Sequence, residues 1–253
     1  MSSIIYNGHE IQDLIVNGNQ AQLWLNGQKL YPTEEPVDPY NPLGLPPFTI
    51  RVKLESGASM PDWCGDSRTL VDAQENIWDV TKNATSWRRL FVLIDDEMGD
   101  IEAVQVEDVL GANATGVTSM ASMFAYCSSL TSVALFDTSS CSNMYTMFMN
   151  CDSLTSVPLF NTSSCTAMTG MFYECTSLAA IPLFNTSSCD DMSNMFFDCI
   201  NVQSGALALY QQASTQANEP MHIDTFSECG SNTVTGAAEL DQIPTSWGGT
   251  MEE

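Results

Sequence analysis

Nine cysteines, two histidines and 31 carboxylates are the residues of this chain able to do thiol, acid–base or metal chemistry. The cysteines lie ten or more residues apart, so none forms the C-x₂₋₄-C pair that a zinc site requires. Their odd number, with no export signal at the N-terminus, points to a reduced interior rather than a disulfide framework. His9 and His222 are the imidazoles available for acid–base work, but neither lies in a nucleophile or metal motif. A phosphate loop, a dinucleotide fingerprint and an H-E-x-x-H helix are all lacking. Asp95, Asp96, Glu97 and Asp100 could hold Ca²⁺, but without EF-hand spacing they read better as a solvated loop. A glycan-degrading carboxylate pair converging in a cleft is not excluded by sequence. The expectation is a protein that is not an enzyme and uses no cofactor or metal.

The elements that position these residues follow from a repeat. LFDTSSCSNMYTMFMNC (135–151), LFNTSSCTAMTGMFYEC (159–175) and LFNTSSCDDMSNMFFDC (183–199) recur with a period of 24 residues. Cys127, Cys151, Cys175 and Cys199, Cys141, Cys165 and Cys189, and Phe124, Phe148, Phe172 and Phe196 all keep step. A strict period of this size predicts a solenoid, because one coil cannot bury its own top and bottom and an identical neighbour must do it. Leu154, Val157 and Leu159 have the L-x-x-L-x-L spacing of an inward-facing strand. Asn161 to Ser164 turn the chain, and Ser163 or Ser164 can cap a helix. Cys165, Met168, Met171, Phe172 and Cys175 then follow at the spacing of one apolar helical face. Each coil is thus expected to hold one strand, one turn and one short helix, with the cysteines as small buried hydrophobes.

Between the inward strand positions lie Ser132, Phe136, Ser156, Pro158, Phe160, Pro182 and Phe184, the candidate ligand-binding residues. If Phe136, Phe160 and Phe184 face outward, they form an aromatic ladder able to stack on sugar rings or on an apolar protein patch. The competing reading is the commoner fate of phenylalanine: the chain bends there and the ring closes a corner of the core.

The pattern F-x-x-C-x-x-L-x-x-[VI]-P-L-F-[DN]-T-S-S-x-x-x-M-x-x-M-F resembles the BspA-type leucine-rich repeat, in the variant described as the Mycoplasma lipoprotein-associated repeat, over residues 117–209. Cys141, Cys165 and Cys189 stand where that family more often has Val. The stretch 200–247 resembles the terminal cap of such arrays, with Phe226 and Cys229 echoing F-x-x-C. Repeats of this type occur in bacterial surface and adhesion proteins and in tail or head-fibre proteins of gut bacteriophages. The resemblance therefore implies a bacteriophage virion structural protein that displays a leucine-rich-repeat head for attachment to a host-surface protein or glycan. The alternative it implies is a bacterial cell-surface or secreted BspA-like adhesin or protein-interaction module.

The rest of the chain completes an α+β reading. Residues 1–31 carry Asn7-Gly8, Asn17-Gly18 and Asn26-Gly27 between short β-rich runs, which predicts a β-meander with type I′ turns. So small a unit is expected to pack on a partner, and Ile5, Tyr6, Leu14, Val16, Leu23, Trp24 and Leu25 are its candidate virion-anchoring residues. Six prolines make residues 32–47 a stiff linker. Residues 48–116 read as a β-rich capping module with Trp63, Trp78 and Trp87 in its core, and residues 210–253 as a degenerate repeat and C-terminal cap.

Charge limits the partners. The formal net charge is −24, and all seven Lys and Arg precede residue 90, leaving 20 of the 31 acidic residues and no basic one beyond it. Such a surface repels phosphate, which argues against nucleic acid. No run of about 18 apolar residues offers a membrane span, and no signal peptide is visible. The expected location is the virion, assembled in the host bacterial cytoplasm and released by lysis, with other virion proteins as partners of the N-terminal module. A homo-oligomer fits a fibre-like protein, although no heptad or collagen-like repeat encodes one.

Overall fold

The computed structural model describes residues 38–94 and 101–252, and before them the backbone of five strands. It divides into two compact units, Met1–Asp38 and Pro39–Glu253. In the first, β1 (Ile5–Tyr6) pairs antiparallel with β2 (His9–Glu10). β3 (Asp13–Asn17), β4 (Gln20–Leu25) and β5 (Gln28–Tyr31) form an antiparallel sheet with Leu14 opposite Leu23. Gly8, Gly18, Asn26 and Gly27, which the predicted turns need, lie outside the described residues. So do residues 32–37 of the proline-rich stretch, and the acidic candidate Asp95, Asp96, Glu97 and Asp100.

From Pro39 the chain is part of the larger unit rather than a free spacer. Asn41 bonds the Leu45 backbone in both directions, at 2.9 and 3.0 Å, and Asn113 Nδ2 donates to the Leu45 carbonyl at 2.9 Å. Leu45 is buried there. These bonds hold a turn that an extended proline segment would not make.

A five-stranded sheet follows, in the order β12-β11-β6-β8-β7. β6 (Thr49–Leu54) alternates as its sequence predicts, with Ile50, Val52 and Leu54 buried. Arg51 and Lys53 point the other way, to Asp79 at 2.7 Å and Glu107 at 3.3 Å. β6 lies between β8 (Ile77–Thr81) and β11 (Val106–Asn113), antiparallel to both, and β7 (Ser67–Asp72) forms the outer edge. A hairpin of β9 (Val92–Ile94) and β10 (Ile101–Ala103) lies outside this sheet. Trp87 is fully buried, while Trp63 and Trp78 pack at the margin of the core. β12 (Ser132–Val133) pairs in parallel with β11 at Asp108 and Val109, and so joins the sheet to the repeated segments.

In those segments the predicted helices are absent. The two described α-helices are α1 (Ala206–Ala213) and α2 (Val234–Leu240), both in the C-terminal region. The Met-x-x-Met-Phe-x-x-Cys stretch instead alternates two kinds of backbone bond. Met120, Ser122, Phe124 and Tyr126 donate to the carbonyls of Asn143, Tyr145, Met147 and Met149 in the next unit, at 2.7–2.9 Å. Met123, Ala125 and Cys127 donate back three residues. The same alternation recurs from 144, 168 and 192, and begins earlier than the sequence repeat suggests, with Trp87, Arg89 and Phe91 bonded to Ser119, Ala121 and Met123. Parallel bridges Ser119–Asn143, Asn143–Ala167 and Ala167–Asp191 follow the 24-residue spacing.

Two physical facts exclude the helix. Ser122 and Tyr126, Thr146 and Asn150, Gly170 and Glu174, and Asn194 and Asp198 all have positive φ, which an α-helix does not tolerate. The phenylalanine rings of successive units are 5.2–5.5 Å apart from Phe91 to Phe196, whereas packed helices need about 8–10 Å. The predicted interior is nevertheless correct in membership: Cys165, Met168, Met171, Phe172 and Cys175 are all buried.

At the C-terminal end the aromatic row continues through Phe226 and stops at Trp247, whose ring lies 6.3 Å from Phe226. Glu239 of α2 accepts from the backbone N–H groups of Gly205 and Leu207, satisfying the start of α1. Thr233 caps α2 by accepting from Gly236 N at 2.9 Å.

Candidate binding surface

The candidate ladder is built at the Leu-Phe dipeptide of each unit, and there the inward and outward positions are exchanged. Phe136, Phe160 and Phe184 are buried, at 0%, 2% and 0% exposure, while Leu159 and Leu183 are 59% and 52% exposed and Leu135 is 37% exposed. The expectation of an outward aromatic ladder is therefore corrected, as is the inward placement of Leu159; the corner-closing alternative describes the phenylalanines. The cause is local. Phe160 N donates to Pro158 O at 2.9 Å, and Phe184 N to Pro182 O at 2.8 Å. These three-residue turns break the alternation of an extended strand and send leucine out and phenylalanine in. Phe160 then stacks 6.2 Å from Phe148, and Phe184 5.9 Å from Phe172.

An exposed leucine also occurs outside the repeat, at Leu43. A Cβ at Gly111 would lie 3.0 Å from Leu43 Cδ1, so Leu43 occupies the space a side chain there would fill. Leu135, Leu159 and Leu183, exposed at the same place in successive units, form one apolar strip. A shallow groove of about 300 Å³ runs along it, lined by Tyr40, these three leucines, Asn161 and Asn185. Its rim is ordered by side-chain turns: Asn161 and Asn185 each accept from the backbone N–H two residues on, at 3.0–3.2 Å, and Asp137 makes the same turn at 2.9 Å. Leucine was missed because L-x-x-L-x-L spacing assigns it to the core; the signal against that is the proline before it in two of the three copies.

The other predicted residues separate. Ser132 is exposed and donates to Asp108 at 2.6 Å. Ser156 is exposed, and Pro158 and Pro182 are half-buried beside the strip. Of the anchor candidates, Ile5 and Tyr6 fall in β1, Leu14 and Val16 in β3, and Leu23, Trp24 and Leu25 in β4.

The thiols are held inside as hydrogen-bond donors. Cys151, Cys175 and Cys199 donate to the carbonyls of Phe124, Phe148 and Phe172 at 3.0–3.1 Å, and burial pushes each thiol well above its ordinary pKa. Burial likewise pushes Cys64 and Cys165 up to about 12 and Cys141 and Cys189 up to about 11. Their role is more polar than the small hydrophobe expected from sequence. His222 stacks on Trp247 with ring centroids 4.0 Å apart, and Nδ1 lies 2.9 Å from Pro220 O. Elsewhere on the surface Asp152 and Asp198 are held above the usual carboxylate range, first by partial burial and then by Glu174, with Glu228 adding to Asp198. Among the described residues no group of three or more His, Cys, Asp or Glu is placed to hold a metal ion, and no helix is long and apolar enough to cross a membrane.

The arrangement offers a rigid apolar strip on a strongly acidic body. Residues 94–209 match the family described as "Mycoplasma protein of unknown function, DUF285", consistent with a Mycoplasma-type repeat protein. Comparison with curated proteins and with solved structures gives no match.

Proposed function

We propose that this chain is an attachment protein whose 24-residue repeats stack as a BspA-like solenoid and whose leucine strip binds a protein on a bacterial host surface. The observation that carries this reading is the strip itself: three leucines at the same place in successive units, each more than a third exposed. Contiguous apolar surface of this kind is a feature of interaction sites. Tyr40 lines the groove, but with Phe136, Phe160 and Phe184 buried the strip offers no ladder of rings on which successive sugars could stack, so a protein ligand fits better than a glycan. The regular backbone bonding between units supports the solenoid, because each unit supplies acceptors to the donors of the one before it. In this reading the unit Met1–Asp38 anchors the molecule to other virion proteins, by the resemblance to phage tail and head-fibre proteins. The match of residues 94–209 to a Mycoplasma family favours a second reading, a bacterial surface adhesin that uses the same strip.

The test is binding of the labelled full chain to intact bacteria from a panel of gut species, before and after the cells are treated with protease or with periodate. Binding lost with protease, retained after periodate and abolished by the paired substitution Leu159→Gln and Leu183→Gln is expected. Binding indifferent to both substitutions contradicts the role of the strip.

A further inference from the structure

Building on that reading, we infer that the occupant of the leucine strip is a basic amphipathic α-helix of the partner protein, lying along the direction in which the units succeed one another. The first argument is spacing. Successive units are 5.2–5.5 Å apart at their phenylalanine rings, and an α-helix advances about 5.4 Å per turn. A helix along the strip therefore sets one turn of apolar side chains against each leucine, without drift. An extended strand repeats the same face every ~6.6 Å and falls out of step within two units. Leu135, Leu159 and Leu183 span two intervals, the length of about two helical turns. Asn161 and Asn185 line the rim and meet the polar flanks of such a helix.

The second argument is charge. Beyond residue 89 the chain has no Lys or Arg and 20 carboxylates. The described ion pairs of Arg51, Lys53, Arg68 and Lys82 lie within the N-terminal sheet and its loops. A field of that sign attracts Lys- or Arg-rich partners and raises their association rate. It repels a second copy of this chain, whose net charge is also −24, so self-association through the strip is disfavoured.

The experiment uses the full chain and a fluorescent 18-residue Leu/Lys peptide with its leucines on one helical face, followed by anisotropy. Three comparisons are made: a scrambled peptide of the same composition, the same peptide with Glu for Lys, and the Leu159→Gln/Leu183→Gln chain. The expected result is binding of the amphipathic Lys peptide alone, weakened about tenfold or more by the paired substitution and weakened further by salt. Because both leucines are largely exposed, the variant folds, which its unchanged circular dichroism checks. Equal binding by the scrambled or Glu peptide, an unaffected variant, or no binding at all overturns the inference. If the peptide fails while cell binding still depends on the leucines, the helix is wrong and the attachment face stands; if neither depends on them, both fall.

Discussion

The division of labour between two adjacent residues, leucine outward and phenylalanine inward, governs how this surface behaves. Leu159→Ala removes side chain already in water and is expected to change stability by less than about 0.5 kcal/mol. Phe160→Ala opens a cavity beside Phe136 and Phe148 and is expected to cost about 3–5 kcal/mol. Urea unfolding of the two variants measures the contrast. The thiols give a second residue-scale prediction. All nine cysteines are free and buried, and reagents attack the thiolate. Ellman's reagent at pH 8 is therefore expected to find none reactive within minutes in the native protein and all nine after denaturation. The carboxylates supply a third. A carboxyl whose folded pKa is raised binds protons more readily folded than unfolded, so it destabilises the fold when ionised and ceases to do so as pH falls through that folded pKa. Asp198→Asn removes this cost and suits the left-handed backbone at φ 56°, as Asn150 does at φ 58°. A rise in Tm of about 1–3 °C at pH 7 is expected. The part due to charge disappears at pH values below the carboxylate range, as paired thermal scans would show.

At the scale of elements, the repeat was legible as a period and as a buried set, and illegible as a conformation. Offsets of three and four residues bury Cys165, Met168, Met171, Phe172 and Cys175 whether the chain coils as a helix or as successive turns. What decides between them is the distance to the next unit, and one unit's sequence does not contain that distance. Positive φ at Thr146, Glu174 and Asp198 is likewise hidden, because these residue types do not announce left-handed backbone as glycine does. Strand parity failed at Leu159 for a related reason: an i to i+2 turn of one residue reverses every side chain that follows. Alternation in β6 was legible, since nothing interrupts it. Gly205 shows where the repeat gives way to the cap. It sits at φ +104° before α1, and an added Cβ would lie 2.3 Å from Ile181 O. Gly205→Ala is expected to cost at least about 2 kcal/mol, measurable as a lower urea midpoint with an unchanged slope.

For the larger unit as a whole, charge and apolar surface are arranged separately. The described ion pairs of Lys and Arg belong to the sheet and its loops, and the repeated segments carry carboxylates without basic partners of their own. That excess favours solubility and attraction of basic partners, while the leucine strip supplies the contact that charge alone cannot make specific. The most direct measurement is a methyl NMR titration of the leucine-labelled full chain with the basic amphipathic peptide. The account predicts shifts at Leu135, Leu159 and Leu183, with the buried Leu130, Leu154 and Leu178 as internal controls that stay in place. Shifts scattered over other leucines, or a strip that stays silent while the peptide binds, would contradict it.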